Sequence, residues 1–279
     1  MKRIVYNVLK FTYRLVIFLL LTLVTQVGGI IYLVSLLPFL FITIKNRWLL
    51  RVSRVMSFII LYTVCSLWII PALAKANGRV TLPVRSNPYL KPAVPITWLF
   101  NRHYVKPGLK ALMEQESREM TVKYDGLITF YLEANFPFFN GYPLWPHITH
   151  DDGNKLDLAF YYTKPNAGAQ QKGSPSIIGY GVCEPPKPGE INLPEKCEDE
   201  GHWKYNFMSK YIPQGKKKDF VFDEDKTKEL LNRLAKNGKV RMIFIEPHLK
   251  QRFKVKDAKV RMHGCWTVRH DDHIHISVR

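Results

Sequence analysis

The stretch RHDDHIHISV, residues 269–278, carries three histidines and two aspartates within six positions, although the whole chain has only nine histidines. If this stretch is a β-strand, His273 and His275 share one face, and Ile274 and Ile276 share the other. The isoleucine face would then belong to a core. Two neighbouring imidazoles are explained better by a bound metal ion than by packing. We therefore predict a final strand with one apolar face and one polar face that carries the histidines.

A second polar stretch, THDDGNKLDLAFYY at 149–162, offers partners for these histidines. His150 lies in a polar turn, and Asp157 follows inside a strand-like run in which Leu156 and Leu158 face the opposite side. An aspartate between leucines in an apolar strand needs a strongly stabilising partner, and a cation is one. The two stretches together predict a three-ligand nitrogen and oxygen set with an open position, as in catalytic zinc sites.

The rest of the C-terminal part predicts an α+β domain with a small antiparallel sheet and few helices, because βαβ alternation is absent. Strand-like runs rich in aromatic and β-branched residues lie at 127–134, 156–163, 176–182 and 239–246. One helix is predicted at 223–238, with Asp223 or Asp225 as its N-cap and Gly238 as its stop. A short helical turn is expected at 248–253.

The spacing His150-x2-Gly153-x3-Asp157, followed by His273-x-His275, resembles the zinc signature of LAS-type metallopeptidases. These peptidoglycan hydrolases include D-Ala-D-Ala peptidases and lysostaphin-like enzymes. The resemblance implies a small LAS or hedgehog-like domain.

The chain is most similar to the penicillin-insensitive murein endopeptidases within that group. The likeness rests on RMIFIEPHLKQRF at 241–253 and on RHDDHIHISV, and it covers about residues 125–279. It implies three ligands of Zn2+, namely His150, Asp157 and His275. It also implies that His273 activates water or stabilises the oxyanion, with His270 beside it.

Other polar residues near these motifs receive supporting roles. Asp271 and Asp272 are natural partners that would fix the tautomers of the site imidazoles. His147 is interpreted as a loop residue, with a place along the substrate groove as the alternative. The remaining histidines away from the motifs are expected at the surface, namely His103, His202 and His248.

The N-terminal part, residues 1–75, is interpreted as a membrane anchor. It contains two uncharged hydrophobic segments, 15–44 and 55–74, each long enough to cross a hydrocarbon core that needs about 20 apolar residues. Four Lys or Arg precede the first segment and four follow it, so the basic residues leave the orientation open. If the first segment spans, the C-terminal part lies on the same side as the N-terminus. If the first segment only enters the membrane and turns back at 26–29, the C-terminal part lies on the side opposite to the N-terminus.

Residues 76–120, rich in proline, are expected to form an extended stalk or a packing arm, and residues 121–279 the metallopeptidase-like domain. Residues 76–279 hold 32 Lys or Arg against 23 Asp or Glu. This basic balance favours an anionic partner such as cell wall or lipid head groups. No aromatic RNP stretch, zinc finger or recognition helix occurs in the sequence, so nucleic acid is not an expected partner.

Cys183 and Cys197 flank a proline-rich loop whose ends could be tied by a disulfide, which would imply an oxidising compartment. Two free thiols in a cytosolic loop are the alternative. In the disulfide interpretation Cys265 is left over, and Cys65 lies within the second hydrophobic segment.

These observations lead us to expect a membrane-anchored zinc-dependent peptidase that hydrolyses peptide cross-links of peptidoglycan. Its partners would be peptidoglycan and the lipid bilayer, with the domain on the periplasmic or extracellular side of the cytoplasmic membrane. Two alternatives remain. One is a catalytically inactive cell-wall-binding protein of the same fold, and the other is a membrane protein whose basic domain binds anions.

Overall fold

The computed structural model describes residues 2–145, 147, 149–166 and 168–279. The helices are α1 (Lys2–Thr25), α2 (Gly28–Ser35), α3 (Arg47–Val64), α4 (Ile70–Ala76), α5 (Pro95–Leu99), α6 (Pro107–Lys123), α7 (Leu193–Asp199), α8 (Phe207–Tyr211), α9 (Glu224–Lys236) and α10 (Pro247–Arg252). The strands are β1 (Val80–Thr81), β2 (Leu90–Pro92), β3 (Tyr104–Val105), β4 (Thr129–Tyr131), β5 (Lys155–Ala159), β6 (Tyr162–Thr163), β7 (Gln170–Gln171), β8 (Val221–Phe222), β9 (Val240–Phe244), β10 (Val260–Arg261) and β11 (His273–Val278). Short 3-10 turns lie at Leu37–Leu40 and Lys217–Asp219, and a π-helical turn lies at Cys65–Ile69.

A six-stranded sheet in the order β10-β9-β11-β5-β4-β2 organises the domain. β11 is central and runs antiparallel to both of its neighbours, β5 and β9. The outer pairs β9–β10 and β2–β4 are parallel. The predicted final strand is therefore present. The predicted antiparallel sheet forms its centre, whereas the parallel edge pairs make the whole sheet mixed.

One face of the central strands forms the hydrophobic core. Ile274 and Ile276 lie opposite Leu158 and Leu156, and all four side chains are fully buried. The predicted apolar stripe of α9 belongs to the same core, through Leu230, Leu231 and Leu234. Burial of each such side chain stabilises the fold by about 1.5–3 kcal/mol. A one-residue slip of β11 would therefore be costly, because it would exchange isoleucines for histidines in this core.

The predicted helix before β9 is present as α9. The Asp223 carboxylate accepts a hydrogen bond from the Lys226 backbone N–H at 3.1 Å, which confirms Asp223 as the N-cap. The predicted strand at 239–246 and the short helical turn after it correspond to β9 and α10.

The run SIIGYGV at 176–182 forms bends, and the strand predicted there is wrong. Gly179 and Gly181 have φ values of +97° and +86°, a left-handed conformation that interrupts an extended chain. A Cβ atom at Gly179 would also lie 2.5 Å from Leu132 Cδ2. The bends turn Tyr180 inward, so that its ring centroid lies 4.4 Å from that of His147.

Residues 76–120 pack on the domain, which agrees with a packing arm and not with an extended stalk. β2 adds an edge strand to the six-stranded sheet, and α6 buries Leu109, Leu112 and Met113 in the core. The sequence analysis missed α6. Pro107 at its first turn and the three- and four-residue spacing of its apolar side chains were the available signals.

The first hydrophobic segment is a helical hairpin and not one continuous span over 15–44. α1 ends at Thr25, Gln26 has a φ of +67°, and α2 returns along α1. The close approach of the two helices requires glycine at position 29. A Cβ atom there would lie 2.0 Å from Thr22 Oγ1 and 2.6 Å from the carbonyl oxygen of Phe18.

Two helical runs, Arg3–Thr25 and Arg47–Ala76, are long and apolar enough to cross a membrane. Only 6% of the most apolar window of each run is buried within the chain, which leaves its apolar surface available to lipid. Both runs end at the domain. Thr22 and Val24, in the last turn of α1, accept hydrogen bonds from Tyr142 and Arg102, while α4 leads directly into β1.

The two runs therefore point in the same direction, and their N-terminal ends both lie remote from the domain. Arg3 and Lys10 lie in the N-terminal half of α1 and Arg14 lies near its middle, while Lys45, Arg47, Arg51 and Arg54 lie just before or within the N-terminal half of α3. The basic residues that flank the first hydrophobic segment thus lie toward the ends of the two runs that are remote from the domain.

Candidate metal centre

Two antiparallel strands place two of the predicted ligands opposite each other. In the register of β5 and β11, His275 is the cross-strand partner of Asp157, and His273 is the partner of Ala159. Directly opposed residues share a face, with Cβ atoms about 4.5–5.5 Å apart. His275 Nδ1 lies 2.8 Å from Asp157 Oδ1. Strand pairing thus joins side chains that are far apart in the chain.

His150 reaches the same point from the loop that precedes β5. His150 Nδ1 lies 2.6 Å from the carbonyl oxygen of Ala134, to which it donates, so Nε2 faces the two strands. His150 Nε2 is 3.2 Å from Asp157 Oδ1 and 3.0 Å from His275 Nδ1. His150, Asp157 and His275 form the group that we call the donor set.

The donor set could hold one metal ion. Its three donor atoms are 2.8–3.2 Å from one another, and all three side chains are buried. Ligands placed tetrahedrally at about 2.0–2.1 Å from zinc are about 3.3 Å apart. The observed separations are slightly shorter, so only a small outward movement of the side chains is needed to bind an ion.

The protonation of the donor set follows from burial and from the charge of Asp157. Burial lowers the pKa of His275 to about 4, although Asp157 partly opposes this effect. Burial also acts to lower the pKa of His150, but the Asp157 carboxylate outweighs it and the pKa is raised. A metal ion that binds here must displace any proton held between these donor atoms.

A second buried group shares Asp157 and could also hold an ion. His147 Nδ1 lies 3.5 Å from Asp157 Oδ2, and His273 Nε2 lies 3.8 Å from Asp157 Oδ1. The Tyr180 hydroxyl donates to Asp157 Oδ2 at 2.8 Å. These separations are longer than those in the donor set, which is therefore the tighter of the two groups.

His273 is held as a proton donor beside the donor set. Its Nδ1 is hydrogen-bonded to the Asp272 carboxylate. Burial would lower the pKa of His273, but Asp157 and Asp272 raise it to about 9. Among the described residues, its buried Nε2 has no hydrogen-bond partner. His273 is thus charged at neutral pH, with one N–H available in the site.

His270 has the opposite character. Burial and the neighbouring His273 and His275 hold the pKa of His270 well below its usual range, so this imidazole is neutral. Its ring centroid lies 4.9 Å from that of His273. The His270 backbone N–H donates to Glu246 Oε1 at 2.9 Å, and this hydrogen bond holds the start of the stretch RHDDHIHISV in place.

The two aspartates of the motif have different partners. Asp272 bonds His273, as expected, and its second oxygen accepts from the Gly181 backbone N–H at 2.6 Å. The Asp271 carboxylate instead pairs with Arg269, so the expected role of Asp271 in fixing a site imidazole is wrong. Both aspartates lie in the bend that precedes β11, and the backbone there turns their side chains toward different partners.

Several histidines expected in loops or at the surface are buried. His147 packs beside the donor set, and its Nδ1 lies 3.1 Å from Glu133 Oε2. His103 and His248 are also buried, so their predicted surface positions are wrong.

Glu133 is the site residue that the sequence analysis missed. Burial would raise its pKa, but the hydrogen bond from His147 and the charge of Arg102 lower it, so Glu133 is a carboxylate. Its guanidinium partner, Arg102, also donates to the carbonyl oxygen of Val24 in α1. An acid inside the apolar run LITFYLEA was the available signal, as it was for Asp157.

A groove of about 450 Å³ opens over the site. His270 and His275 lie on its floor, and Trp145, Trp203 and Trp266 lie along its sides with 59%, 66% and 86% of their surface exposed. A cavity of this size, with a mostly apolar surface and several imidazoles, is typical of sites for small molecules or peptide segments.

The disulfide joins Cys197 to Cys265, and the predicted Cys183–Cys197 pairing is wrong. The Cα atoms of Cys197 and Cys265 are 5.3 Å apart, within the usual range for a disulfide. Cys183 is a free thiol, and the next residue, Glu184, donates its backbone N–H to Asp271. The disulfide ties α7 to the segment that carries Trp266, so it fixes one side of the groove.

Comparison with known proteins gives no match: no protein-family model and no curated protein matches this chain.

Proposed function

We propose that the chain is a membrane-anchored, zinc-dependent peptidase that hydrolyses peptide cross-links of peptidoglycan. The observation that carries this proposal is the buried donor set, which meets the floor of an open groove at His275. Structural metal sites are closed by a fourth protein ligand, whereas catalytic sites keep one position open.

The donor set suits a transition metal, and we propose zinc because the zinc signature of LAS-type metallopeptidases resembles these residues. Two imidazole nitrogens and one carboxylate oxygen form a mixed set of intermediate softness, and imidazole favours zinc over magnesium or calcium. When bound, zinc would polarise an amide carbonyl and activate water near neutral pH. Asp157 compensates the charge of such an ion, and Tyr180 orients that carboxylate.

The imidazoles of His270 and His273 suit the proton transfers of amide hydrolysis. His273, charged and with its Nε2–H directed into the site, would donate to the oxygen of the scissile carbonyl as negative charge develops there. His270, neutral and on the groove floor, would accept a proton from water and return it to the leaving nitrogen.

The substrate class rests on the resemblance to murein endopeptidases and on two features of the domain. The basic excess of residues 76–279 suits peptides that carry carboxylates. The groove is open and aromatic along its sides, which suits extended peptides and sugar rings.

We infer that the domain lies outside the cytoplasmic membrane. The gathering of basic residues toward the remote ends of α1 and α3 favours a cytoplasmic position for those ends. Since both runs cross in the same direction, the domain would then lie on the opposite face. The Cys197–Cys265 disulfide supports the same placement, because such bonds persist in oxidising compartments.

The test uses the full chain in detergent micelles, loaded with zinc and mixed with purified peptidoglycan. We expect about one zinc per chain and release of cross-link fragments, measured by mass spectrometry. His150→Ala should remove both zinc and activity, while Asp219→Asn, on an exposed turn outside the residues that could hold a metal ion, should keep both.

Zinc binding without any released fragment would reject catalysis and favour the inactive wall-binding alternative. Normal fragment release by His150→Ala would show that the donor set is not the metal site required for activity.

A further inference from the structure

The groove over the metal centre begins where helix α1 ends. Arg102 Nε donates to the carbonyl oxygen of Val24, in the last turn of α1, at 3.3 Å. The same guanidinium donates to the carbonyl oxygen of Trp145, on the side of the groove, at 3.3 Å. It also pairs with Glu133, the partner of His147. One side chain therefore contacts the helix end, the side of the groove and the site.

The segment that leads into this side of the groove, residues 136–145, rests on the same helix end. The Phe138 backbone N–H donates to Gln26 Oε1 at 2.9 Å, and the Tyr142 hydroxyl donates to the carbonyl oxygen of Thr22 at 2.7 Å. Phe139 is 68% exposed and Trp145 is 59% exposed on this segment. Exposed aromatic rings at the end of an apolar helix are typical of the membrane–water interface.

The far side of the groove carries Trp203 and Trp266, and it is braced by the Cys197–Cys265 disulfide. Lys204 lies on the same side, with its Nζ 5.7 Å from the centre of the Trp203 ring. The groove thus combines a membrane-proximal aromatic side with a distal side that offers one exposed cation. Its floor holds the imidazoles of His270 and His275.

We propose that the groove takes its substrate from the adjacent leaflet: an amphiphile whose peptide head group enters beside Trp145 and reaches the donor set while its lipid chain stays in the bilayer. This inference rests on the proposed function and narrows its substrate class to lipid-linked peptides. Hydrogen bonds at Thr22, Val24 and Gln26 hold the entrance against α1, so a head group needs to cross no gap between bilayer and site.

The charge near the membrane suits an anionic head group. Residues 75–113, which lead from the end of α4 into the domain, contain the exposed Lys75, Arg85 and Lys106 and no Asp or Glu. Such a surface attracts anionic lipids and anionic head groups. Lys204, at the distal side, offers a partner for a carboxylate of the peptide.

The first experiment locates the groove relative to lipid without any need for activity. The full chain is reconstituted in vesicles of phosphatidylcholine and phosphatidylglycerol, with Trp145 replaced by the photoreactive residue p-benzoylphenylalanine. We expect irradiation to attach phospholipid at position 145, detected by mass spectrometry.

Val122 is the matched control, because it is 79% exposed and lies at the far end of β4 from the helix junction. At one end of β4, next to Val122, Thr121 donates to the carbonyl oxygen of Leu127. At the other end, toward the helix junction, the backbone of Ala134 and Asn135 pairs with that of Arg102 and Tyr104. The same residue placed at position 122 should attach little phospholipid. Equal labelling at both positions, or none at position 145, overturns the proposal.

The second experiment measures cleavage by the zinc-loaded full chain in the same vesicles. The probes are one cross-link peptide attached to a diacylglycerol and the same peptide without lipid. Because confinement to the membrane raises the effective concentration, we expect hydrolysis of the lipid-linked peptide to be at least about tenfold faster. Equal rates for the two peptides would exclude a preference for lipid-linked peptides but would leave the proposed peptidase activity in place. Cleavage of neither peptide by protein that holds zinc rejects the proposed function, and lipid labelling at position 145 then still reports where the groove lies.

Discussion

The two halves of the donor set are built in different ways. His275 and Asp157 face each other in the centre of the six-stranded sheet, where backbone pairing holds both residues. His150 projects from a loop, and a hydrogen bond to the carbonyl oxygen of Ala134 orients its ring. The backbone positions of the strand half therefore depend on the sheet, whereas the position of the loop half depends on the contacts that hold the loop.

The loop is held by the domain, where the Gly153 backbone N–H donates to Asn135 Oδ1, and it is also linked to the N-terminal helices. The segment that leads to it contacts α1 through Tyr142 and Thr22, and Arg102 joins Val24 to Glu133. The comparison teaches that the candidate metal centre, although far along the chain, is linked through its loop half to the first 25 residues. The following predictions test this division, from the largest expected effect to the smallest.

Loss of the strand half should have the largest effect. Asp157→Asn removes the one anionic donor, so we expect zinc affinity to fall by at least about a thousandfold, since each ligand contributes several kcal/mol to binding. Titration calorimetry of the full chain with zinc measures this loss. Asp152→Asn, at a carboxylate that pairs with Lys155 outside the donor set, is the control and should bind as the unmodified chain does. An unchanged zinc affinity in Asp157→Asn would exclude the donor set as the zinc site.

Removal of the disulfide should destabilise the chain without weakening either half. The double substitution C197S and C265S should lower the free energy of unfolding by about 2–4 kcal/mol, because the bond closes a long loop in the unfolded chain. Denaturant unfolding followed by tryptophan fluorescence measures the change, and the unmodified protein under reductant should reproduce it. A large loss of zinc affinity in the double variant would show that the far side of the groove supports the donors.

Loosening of the loop half should have an intermediate effect. Glu133→Gln removes the charge that holds His147 and Arg102, and we expect zinc affinity to fall about 10–100-fold, as for other partners of metal ligands. Glu119→Gln, at the exposed partner of Arg233, is the matched control. An effect of Glu133→Gln as large as that of Asp157→Asn would remove the distinction between the two halves.

The smallest expected effect is a shift in pH dependence. The pKa of His273 is about 9, so its proton is present below that pH and is lost above it, and peptidase activity should fall on the alkaline side. Asp272→Asn removes a negative charge that favours the protonated form, so the alkaline limb should move to lower pH. The pH–rate profile measures this shift, and Asp219→Asn, on an exposed turn, should leave the profile unchanged. A shift to higher pH would contradict the role given to Asp272.

Prediction from the sequence succeeded where a local pattern has one physical solution. Alternation in HIHIS separates an apolar face from a polar face, and an aspartate between leucines is costly unless it is partnered. The cap of α9 and the strand β9 follow from equally local signals. These rules act over a few residues, so no knowledge of the remaining chain is needed.

Prediction failed where distant segments meet. Cysteine spacing cannot reveal that Cys197 pairs with Cys265, because pairing depends on which segments the fold brings within about 6 Å. The bends at Gly179 and Gly181 interrupt a run with strand composition, since composition does not report backbone φ. Glu133 and His147 looked ordinary because their contacts exist only in the folded domain.

The sequence alone determined two hydrophobic runs, a C-terminal strand with a histidine face and the residue types of a metal site. These properties follow from hydrophobicity, periodicity and donor chemistry along short stretches of chain. Only the tertiary structure decided that both basic flanks lie toward one end, that Asp157 faces His275, and that the groove starts at the end of α1. Register and helix seating depend on contacts between distant segments, and their energies are settled only when the whole core packs.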